Sequence, residues 1–262
     1  MLTRSEHKPR PLRPTAKIAC LLYSLLCYLC FLLGFLYFIG FLGNVAVPKS
    51  IDSGPGIPWP QALLVDVLLI SLFAVQHSVM ARKSFKLWWQ NFVPAPIERA
   101  TYVLASSAVL ALMCWWWQPI DTLVWKVDSP LATGLLSGLF WLGWGLVFLA
   151  SALISHFELF GIKQALDTLR KPRAVDSTFK TPLLYKIVRH PLYLGFLIAF
   201  WATPAMTVGH LVFALTSTVY IMIGSYLEEK DLVEIFGEKY RHYQKTVGML
   251  LPFPHRKPDP QD

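Results

Sequence analysis

Two clusters of charged side chains flank the apolar runs of the C-terminal third of the chain. Arg189-His190-Pro191 leads into one apolar run, and the carboxylates Glu228 and Glu229 follow the end of another. The tyrosines that flank these charges are Tyr193, Tyr240 and Tyr243. An Arg-His pair alone is typical of a snorkelling anchor, and a Glu pair alone of a solvated helix face. Both pairs at one membrane edge are costly unless they bind something, so together they predict a site for a charged small molecule.

Three further side chains have the chemistry of proton acceptors. Asp66 and His77 lie eleven residues apart in one apolar segment, which is about three helical turns, so a helix would place them on the same face. His156 directly follows another apolar segment, in SHFELFG. The structural alternative for Asp66 is a hydrogen bond from a Tyr or Trp donor, and for His77 it is solvation at the membrane interface.

The composition indicates an integral membrane protein. Of the 262 residues, 55% are hydrophobic and only 15% are charged, and the mean hydropathy is +0.46, which excludes a disordered chain. The apolar residues form blocks long enough for the ~20 helical residues that span a bilayer. All four cysteines lie in these blocks, and we interpret them as buried apolar side chains. No set of further ligands accompanies them, so no metal site is expected.

The apolar blocks predict a single all-α membrane domain over 1–262. Its bundle, 18–154, has four predicted spans at about 18–42, 61–80, 100–118 and 132–154. A polar loop, 155–190, is followed by a hairpin and tail within 181–247, where an amphipathic helix is interrupted at Gly237. The first hairpin arm, Leu192–Thr203, falls short of the ~30 Å apolar core at 1.5 Å per helical residue. Either this arm begins inside the polar loop, or the hairpin does not fully span.

Basic residues are distributed unevenly among the predicted loops. Of the 24 Lys and Arg residues, 22 lie in 1–17, 82–99, 155–190 and 228–262, and the alternate loops contain only Lys49 and Lys126. Loops rich in Lys and Arg face the cytoplasm. We therefore expect both termini and both basic loops in the cytoplasm. The net charge of +8 then reflects topology rather than nucleic-acid binding.

The C-terminal motifs resemble a known family of membrane enzymes. VRHPLYLGF and, after a hairpin, EEKDLVEIFGEKYRHY look like the C-terminal half of the isoprenylcysteine carboxyl methyltransferase superfamily. The upstream stretches QHSVMARKSFKLWW, PIERATYVL and LISHFELFGIKQ resemble its bacterial NnrU-like branch. The resemblance implies an enzyme of the bacterial inner membrane that uses S-adenosyl-L-methionine to methylate a small thiol, foremost methanethiol, to dimethyl sulfide. Hydrogen sulfide, other thiols and a lipid remain open as acceptors.

The resemblance also implies which residues bind the cofactor. Arg189 and His190 would hold its carboxylate by charge-assisted hydrogen bonds, and Glu228 or Glu229 its ammonium or ribose hydroxyls. The other implied cofactor-binding residues are Tyr193, Tyr240 and Tyr243, facing the sulfonium or the adenine edge, and Pro191 and Gly195, shaping the backbone for a close approach.

Methyl transfer to a thiol needs a proton acceptor, because the thiolate is the nucleophile. We rank the candidates as His156, then Asp66 together with His77, then Tyr193. The small thiol would arrive through the membrane lipid, and the cofactor from the cytoplasm. Neither nucleic acid nor an obligatory protein partner is expected.

Three other functions are compatible with parts of the sequence. The NnrU-like branch is also similar to haem-dependent carotene isomerases, for which His77, His156 and His190 would be candidate axial ligands. A sterol-reductase-like enzyme that binds NADPH would share a related C-terminal region. A membrane assembly factor would bind no S-adenosylmethionine at all. The chain has no phosphate-cradling glycine loop and no G-x-G-x-x-G, so the sequence does not favour a soluble Rossmann methyltransferase.

Overall fold

The computed structural model describes residues 13–170, 179 and 181–252. Over these residues the chain forms ten α-helices, two short strands and one 3₁₀ turn, Leu183–Lys186. The helices are α1 (Pro14–Gly43), α2 (Trp59–Ala81), α3 (Lys83–Trp89), α4 (Ala95–Trp116), α5 (Pro130–Ile154), α6 (His156–Leu159), α7 (Ile162–Leu169), α8 (Pro191–Trp201), α9 (Val208–Phe236) and α10 (Glu238–Thr246). The strands are β1 (Leu123–Lys126) and β2 (Ala205–Thr207).

Five of the described helices, α1, α2, α4, α5 and α9, are long and apolar enough to cross a membrane. Their outer faces carry large exposed apolar side chains; those of α1 include Leu22, Leu26, Leu29, Leu33 and Leu36. A continuous apolar stripe of this length on a protein surface is a surface for lipid. The predicted all-α integral membrane fold is confirmed, and the four predicted bundle spans coincide with α1, α2, α4 and α5 to within a few residues.

Local sequence signals fix where several helices begin and end. Pro residues occupy the first turns of α1, α2, α4, α5 and α8, where their missing N–H has no helical partner. The Thr207 hydroxyl caps α9 by accepting the backbone N–H of His210 at 3.1 Å. Gly237, at φ 57°, separates α9 from α10, as the sequence predicts.

The first hairpin arm combines a short helix with a strand. The eleven residues of α8 reach only about 16 Å at 1.5 Å per residue. β2 then pairs antiparallel with β1, with Leu123 opposite Thr207 and Lys126 opposite Ala205. In the chain, β1 connects the end of α4 to the start of α5, at the opposite end of the bundle from the start of α8. The segment from α8 to β2 therefore extends from one end of the bundle to the other. The strand pairing, which was not predicted from sequence, satisfies backbone groups of residues 205–207, where the chain is no longer helical.

The helices form a ring around an aromatic core. α1 packs on α4, α4 on α2, α2 on α9, α9 on α8 and α8 on α5. Contacts of Phe35 with Trp144 and Phe148 close the ring between α1 and α5. The core includes Phe35, Phe38, Trp144, Phe200 and Phe213. We call the end of the ring that carries α3, α6, α7 and α10 the basic end, because the Lys- and Arg-rich segments lie there.

α5 and α8 approach each other more closely than side chains would permit. A Cβ atom on Gly195 would lie 2.7 Å from the Gly143 oxygen, and one on Gly143 would lie 2.7 Å from the Gly195 oxygen. Small residues allow such backbone contact between membrane helices. The close approach expected of Gly195 is therefore made to α5, and it fixes the position of the helix that begins at Pro191.

Candidate active site

A buried ion pair holds the C-terminal elements together at the basic end. Arg189 Nε lies 2.7 Å and Nη2 3.2 Å from the two carboxylate oxygens of Glu229. The side chains are only 8% and 12% exposed. Glu229 also accepts a hydrogen bond from Gln244 Nε2 at 2.8 Å. Removing one member of a buried pair with this many partners strongly destabilises the protein, because the other charge stays buried without compensation.

The same arginine also binds the backbone of the tail. Arg189 Nη1 donates to the carbonyl oxygens of Gln244, at 3.0 Å, and Val247, at 2.5 Å. The backbone N–H of Arg189 donates to Gly248 O at 2.8 Å, in a strand-like bridge next to Val188. Four of the five guanidinium N–H groups are therefore used within the protein. The main structural role of Arg189 is to join α8, α9 and α10, and we call Arg189 and Glu229 together the clamp.

Next to this clamp, His190, Tyr193 and Glu228 form a partly open polar face. His190 Nε2 lies 3.1 Å from Glu229 Oε1, and because a carboxylate only accepts, Nε2 is the donor. His190 Nδ1 lies 3.8 Å from Glu228 Oε2, too far for a hydrogen bond. Tyr193 donates to Glu228 Oε2 at 3.0 Å, and its ring stacks on His190 at 5.4 Å. Glu228 is 48% exposed, so its carboxylate is open to a ligand.

Tyr240 and Tyr243 lie below the clamp instead of on the open face. Both are buried, and their rings contact each other and Phe179. The Tyr243 hydroxyl donates to the backbone oxygen of Tyr185. Burial raises the pKa of Tyr243 to about 12 and also raises that of Tyr240. In this structure they support the clamp, and Pro191 supports it similarly by starting α8 immediately after His190.

His156 lies between α1 and α5, with both ring nitrogens hydrogen-bonded. Nε2 is 2.8 Å from the hydroxyl of Tyr28, and Nδ1 is 3.0 Å from Ser151 Oγ. Ser151 Oγ lies 2.8 Å from Phe148 O, to which it donates its proton. His156 must then donate from Nδ1, which leaves Nε2 as the basic nitrogen. Burial lowers the pKa of His156 below its ordinary value, so the ring stays neutral to lower pH.

Asp66 and His77 do not form one site, although they belong to the same helix. Eleven residues separate them by about 16 Å along α2. Asp66 is fully buried towards the end opposite the basic end, where Oδ1 accepts the backbone N–H of Gln118 at 2.8 Å. His77 lies near the basic end, with Nε2 2.8 Å from the hydroxyl of Tyr102 and Nδ1 3.2 Å from Ser106 Oγ. The two side chains therefore cannot act together as one proton acceptor.

The structure adds site residues that the sequence did not single out. Tyr28 and Tyr102 each bind the Nε2 atom of a histidine at the basic end. Tyr28 belongs to an interior face of α1 with Phe31, Phe35 and Phe38, a spacing of three, four and three residues. That periodicity could have identified the interior face, but it gives no sign of the histidine partner.

Comparisons with known proteins identify the family. The chain is 73% identical, over all 262 residues of both proteins, to methanethiol S-methyltransferase of Pseudomonas deceptionensis. It is 48% identical over 214 residues to that of Mycobacterium tuberculosis, covering 82% of this chain and 88% of the relative. Nurim of Rattus norvegicus is 28% identical over 198 residues, 70% of this chain and 72% of that protein. No family model and no solved structure matches the chain.

The membrane-spanning fold and these relatives define an integral membrane methyltransferase. The chain belongs to the methanethiol S-methyltransferase family. The resemblance to membrane methyltransferases in the sequence is thereby confirmed, and it takes precedence over the haem-dependent and NADPH-dependent alternatives. Within the described residues no group of three or more His, Cys, Asp or Glu could hold a metal ion.

Proposed function

We propose that this protein transfers the methyl group of S-adenosylmethionine to methanethiol, producing dimethyl sulfide and S-adenosylhomocysteine. Family membership supports the reaction. The observation that supports the cofactor site is the open polar face of His190, Tyr193 and Glu228, which rests on the internally satisfied clamp of Arg189 and Glu229. Groups of this kind are complementary to a ligand that carries an ammonium, a carboxylate and a sulfonium.

Glu228 is the carboxylate that suits the cofactor's ammonium or ribose hydroxyls, because Glu229 is already saturated by three protein residues. The Tyr193 ring can face the sulfonium, an interaction of about 0.5–2 kcal/mol. The cofactor's carboxylate can bind the remaining N–H of Arg189. Tyr240 and Tyr243 contribute through the packing that keeps α10 against this face.

The chemical step forms a bond between the thiolate sulfur and the methyl carbon while the bond from that carbon to the sulfonium breaks. The reaction cancels a negative and a positive charge, so a site with little water strengthens the attraction that brings the reactants together. The thiol must lose its proton first, and His156 Nε2 is our proposed final acceptor. His77 is the next candidate, since it also lies at the basic end, and Asp66 the least suitable.

The distribution of basic residues supports a cytoplasmic position for the basic end and for both termini. S-Adenosylmethionine would then enter from the cytoplasm. Methanethiol is small and apolar enough to arrive through the lipid, which the exposed apolar faces of the helices contact. We propose the bacterial inner membrane as the location.

Calorimetry of the purified protein with S-adenosylmethionine, followed by headspace detection of dimethyl sulfide after addition of methanethiol, tests this function. We expect saturable binding and equal amounts of dimethyl sulfide and S-adenosylhomocysteine. If the protein binds S-adenosylmethionine but methylates hydrogen sulfide or a lipid extract instead of methanethiol, the proposed acceptor is wrong. Absence of binding by folded protein would refute the cofactor assignment, and a Soret absorption band would favour the haem-dependent alternative.

A further inference from the structure

The position of Tyr28 limits how a thiol can reach His156. The Tyr28 oxygen lies 2.8 Å from Nε2, the basic nitrogen of the ring, and the other nitrogen is bound by Ser151. A thiol could contact Nε2 directly only by displacing Tyr28. The Tyr28 hydroxyl makes no other hydrogen bond to the part of the chain that the structure describes, and its side chain is half-buried. Its oxygen therefore keeps lone pairs that can accept a proton.

The packing of α1 on α8 puts Tyr28 at the depth of the proposed cofactor site. Both helices run away from the basic end, and Phe35 of α1 contacts Phe196 of α8, with ring centroids 6.3 Å apart. Tyr28 precedes Phe35 by about 10 Å along its helix, and His190 precedes Phe196 by about 9 Å. Tyr28 and Phe35 belong to the interior face of α1 that also carries Phe31. The phenol and the His190 face are thus at one level of the ring.

We propose that the Tyr28 hydroxyl is the group that contacts the thiol and receives its proton, while its own proton passes to His156 Nε2. In this step the S–H bond breaks and a new O–H bond forms on Tyr28, and the old O–H bond breaks as an N–H bond forms on His156. The products are a thiolate and an imidazolium. The Ser151 oxygen accepts from Nδ1 and so stabilises the imidazolium. The proposal rests on the thiol methylation proposed above.

A two-part acceptor fits the chemistry better than either residue alone. A phenol oxygen accepts a proton readily only when its own proton leaves at the same time. His156 supplies that second acceptor, held in the required tautomer by Ser151. The groups around it are Tyr28 of α1, the Glu158 and Lys163 pair at 2.5 Å, and Arg99 of α4, which binds Leu159 O. Burial lowers the pKa of His156 below its ordinary value, which leaves the ring neutral and able to accept a proton.

The test compares Tyr28→Phe with Tyr23→Phe as the matched control. Tyr23 lies on the same helix and binds Thr101 Oγ1 at 3.1 Å, outside the proposed site. We expect Tyr28→Phe to lower kcat by ~10²-fold with cofactor affinity and Tm unchanged, whereas Tyr23→Phe keeps wild-type kcat. The double variant Tyr28→Phe/His156→Asn should lose no more than either single variant, because the two residues act as one unit.

A more acidic thiol separates proton transfer from structural support. Trifluoroethanethiol is partly ionised near neutral pH, so it should restore most of the activity lost in Tyr28→Phe. An equal loss with both thiols, or additive losses in the double variant, would refute the proposal, as would wild-type kcat in Tyr28→Phe. If Tyr28→Phe lowers Tm, Ser151→Ala provides the second test and should lower kcat with an altered pH profile; an unchanged profile would count against the relay. Wild-type protein that forms no dimethyl sulfide would instead refute the proposed function.

Discussion

The adjacent carboxylates Glu228 and Glu229 are expected to respond very differently to the same substitution. Glu229→Gln leaves the Arg189 guanidinium, which is 8% exposed, without a charged partner. It also weakens the contacts from His190 and Gln244. Disrupting one member of a buried pair costs about 3–5 kcal/mol. At about 2–4 °C per kcal/mol for a chain of this size, Tm should fall by at least about 6 °C.

Glu228→Gln is the matched comparison, because it makes the same replacement of a carboxylate by an amide at the neighbouring position. Glu228 is 48% exposed and accepts one hydrogen bond, from Tyr193, which an amide oxygen can still accept. Tm should therefore change little. The cofactor's ammonium would lose a charge-assisted hydrogen bond. Because Glu228 is half-exposed, we take about 1.5 kcal/mol for its contribution, the low end of the usual range for hydrogen bonds to charged groups. That loss corresponds to about tenfold in Kd.

Thermal unfolding followed by tryptophan fluorescence, together with calorimetry using S-adenosylmethionine, distinguishes the two effects. We expect a lower Tm for Glu229→Gln, and weaker cofactor binding at unchanged Tm for Glu228→Gln. Equal Tm losses would show that Glu228 is also part of the clamp. Weaker binding by a stable Glu229→Gln, with unchanged binding by Glu228→Gln, would reverse the assignment of the cofactor contact.

Three further predictions concern proton transfer, helix packing and topology. Because burial lowers the pKa of His156 below about 6.5, the kcat of the wild-type enzyme should decline only below about pH 6.5. The kcat of His156→Asn should be ~10²-fold lower near neutrality and should recover as rising pH supplies thiolate. A defect of the same size at every pH would contradict this role. Gly143→Ala should destabilise the protein by about 1–3 kcal/mol in chemical unfolding, while Gly145→Ala, whose Cβ meets nothing within 4 Å, should not; equal effects would exclude the backbone contact as the cause. In cells carrying a variant without native cysteines, a new cysteine at Lys126 should react with an impermeant reagent and one at Arg82 should not; the opposite pattern would invert the topology.

The sequence predicts the elements better than the roles of individual residues. The spans, the hairpin and the break at Gly237 follow from apolar periodicity and from residues with fixed backbone preferences, which act locally. β1 and β2 were missed because they are three to four residues long and are stabilised by pairing with each other across the fold. A pairing of such distant segments leaves no periodic pattern in either of them.

The charged motifs were recognisable from the sequence, but the different roles of their individual residues were not. Glu228 and Glu229 are chemically identical neighbours, and only the roughly 100° rotation between successive helical residues sends one into the clamp and the other to the open face. Similarly, nothing near His156 in the chain indicates that Tyr28, 128 positions away, binds its ring. Contacts between distant helices depend on packing register, which one sequence does not contain.

The backbone contact between Gly143 and Gly195 bears on how the protein could move. It joins α5, which leads to His156, and α8, which begins beside His190, without intervening side chains that could change rotamer. Interlocked backbones slide only with large steric cost, so these two walls behave as one rigid body during turnover. Any rearrangement around the open polar face of His190, Tyr193 and Glu228 must therefore come from elements other than α5 and α8.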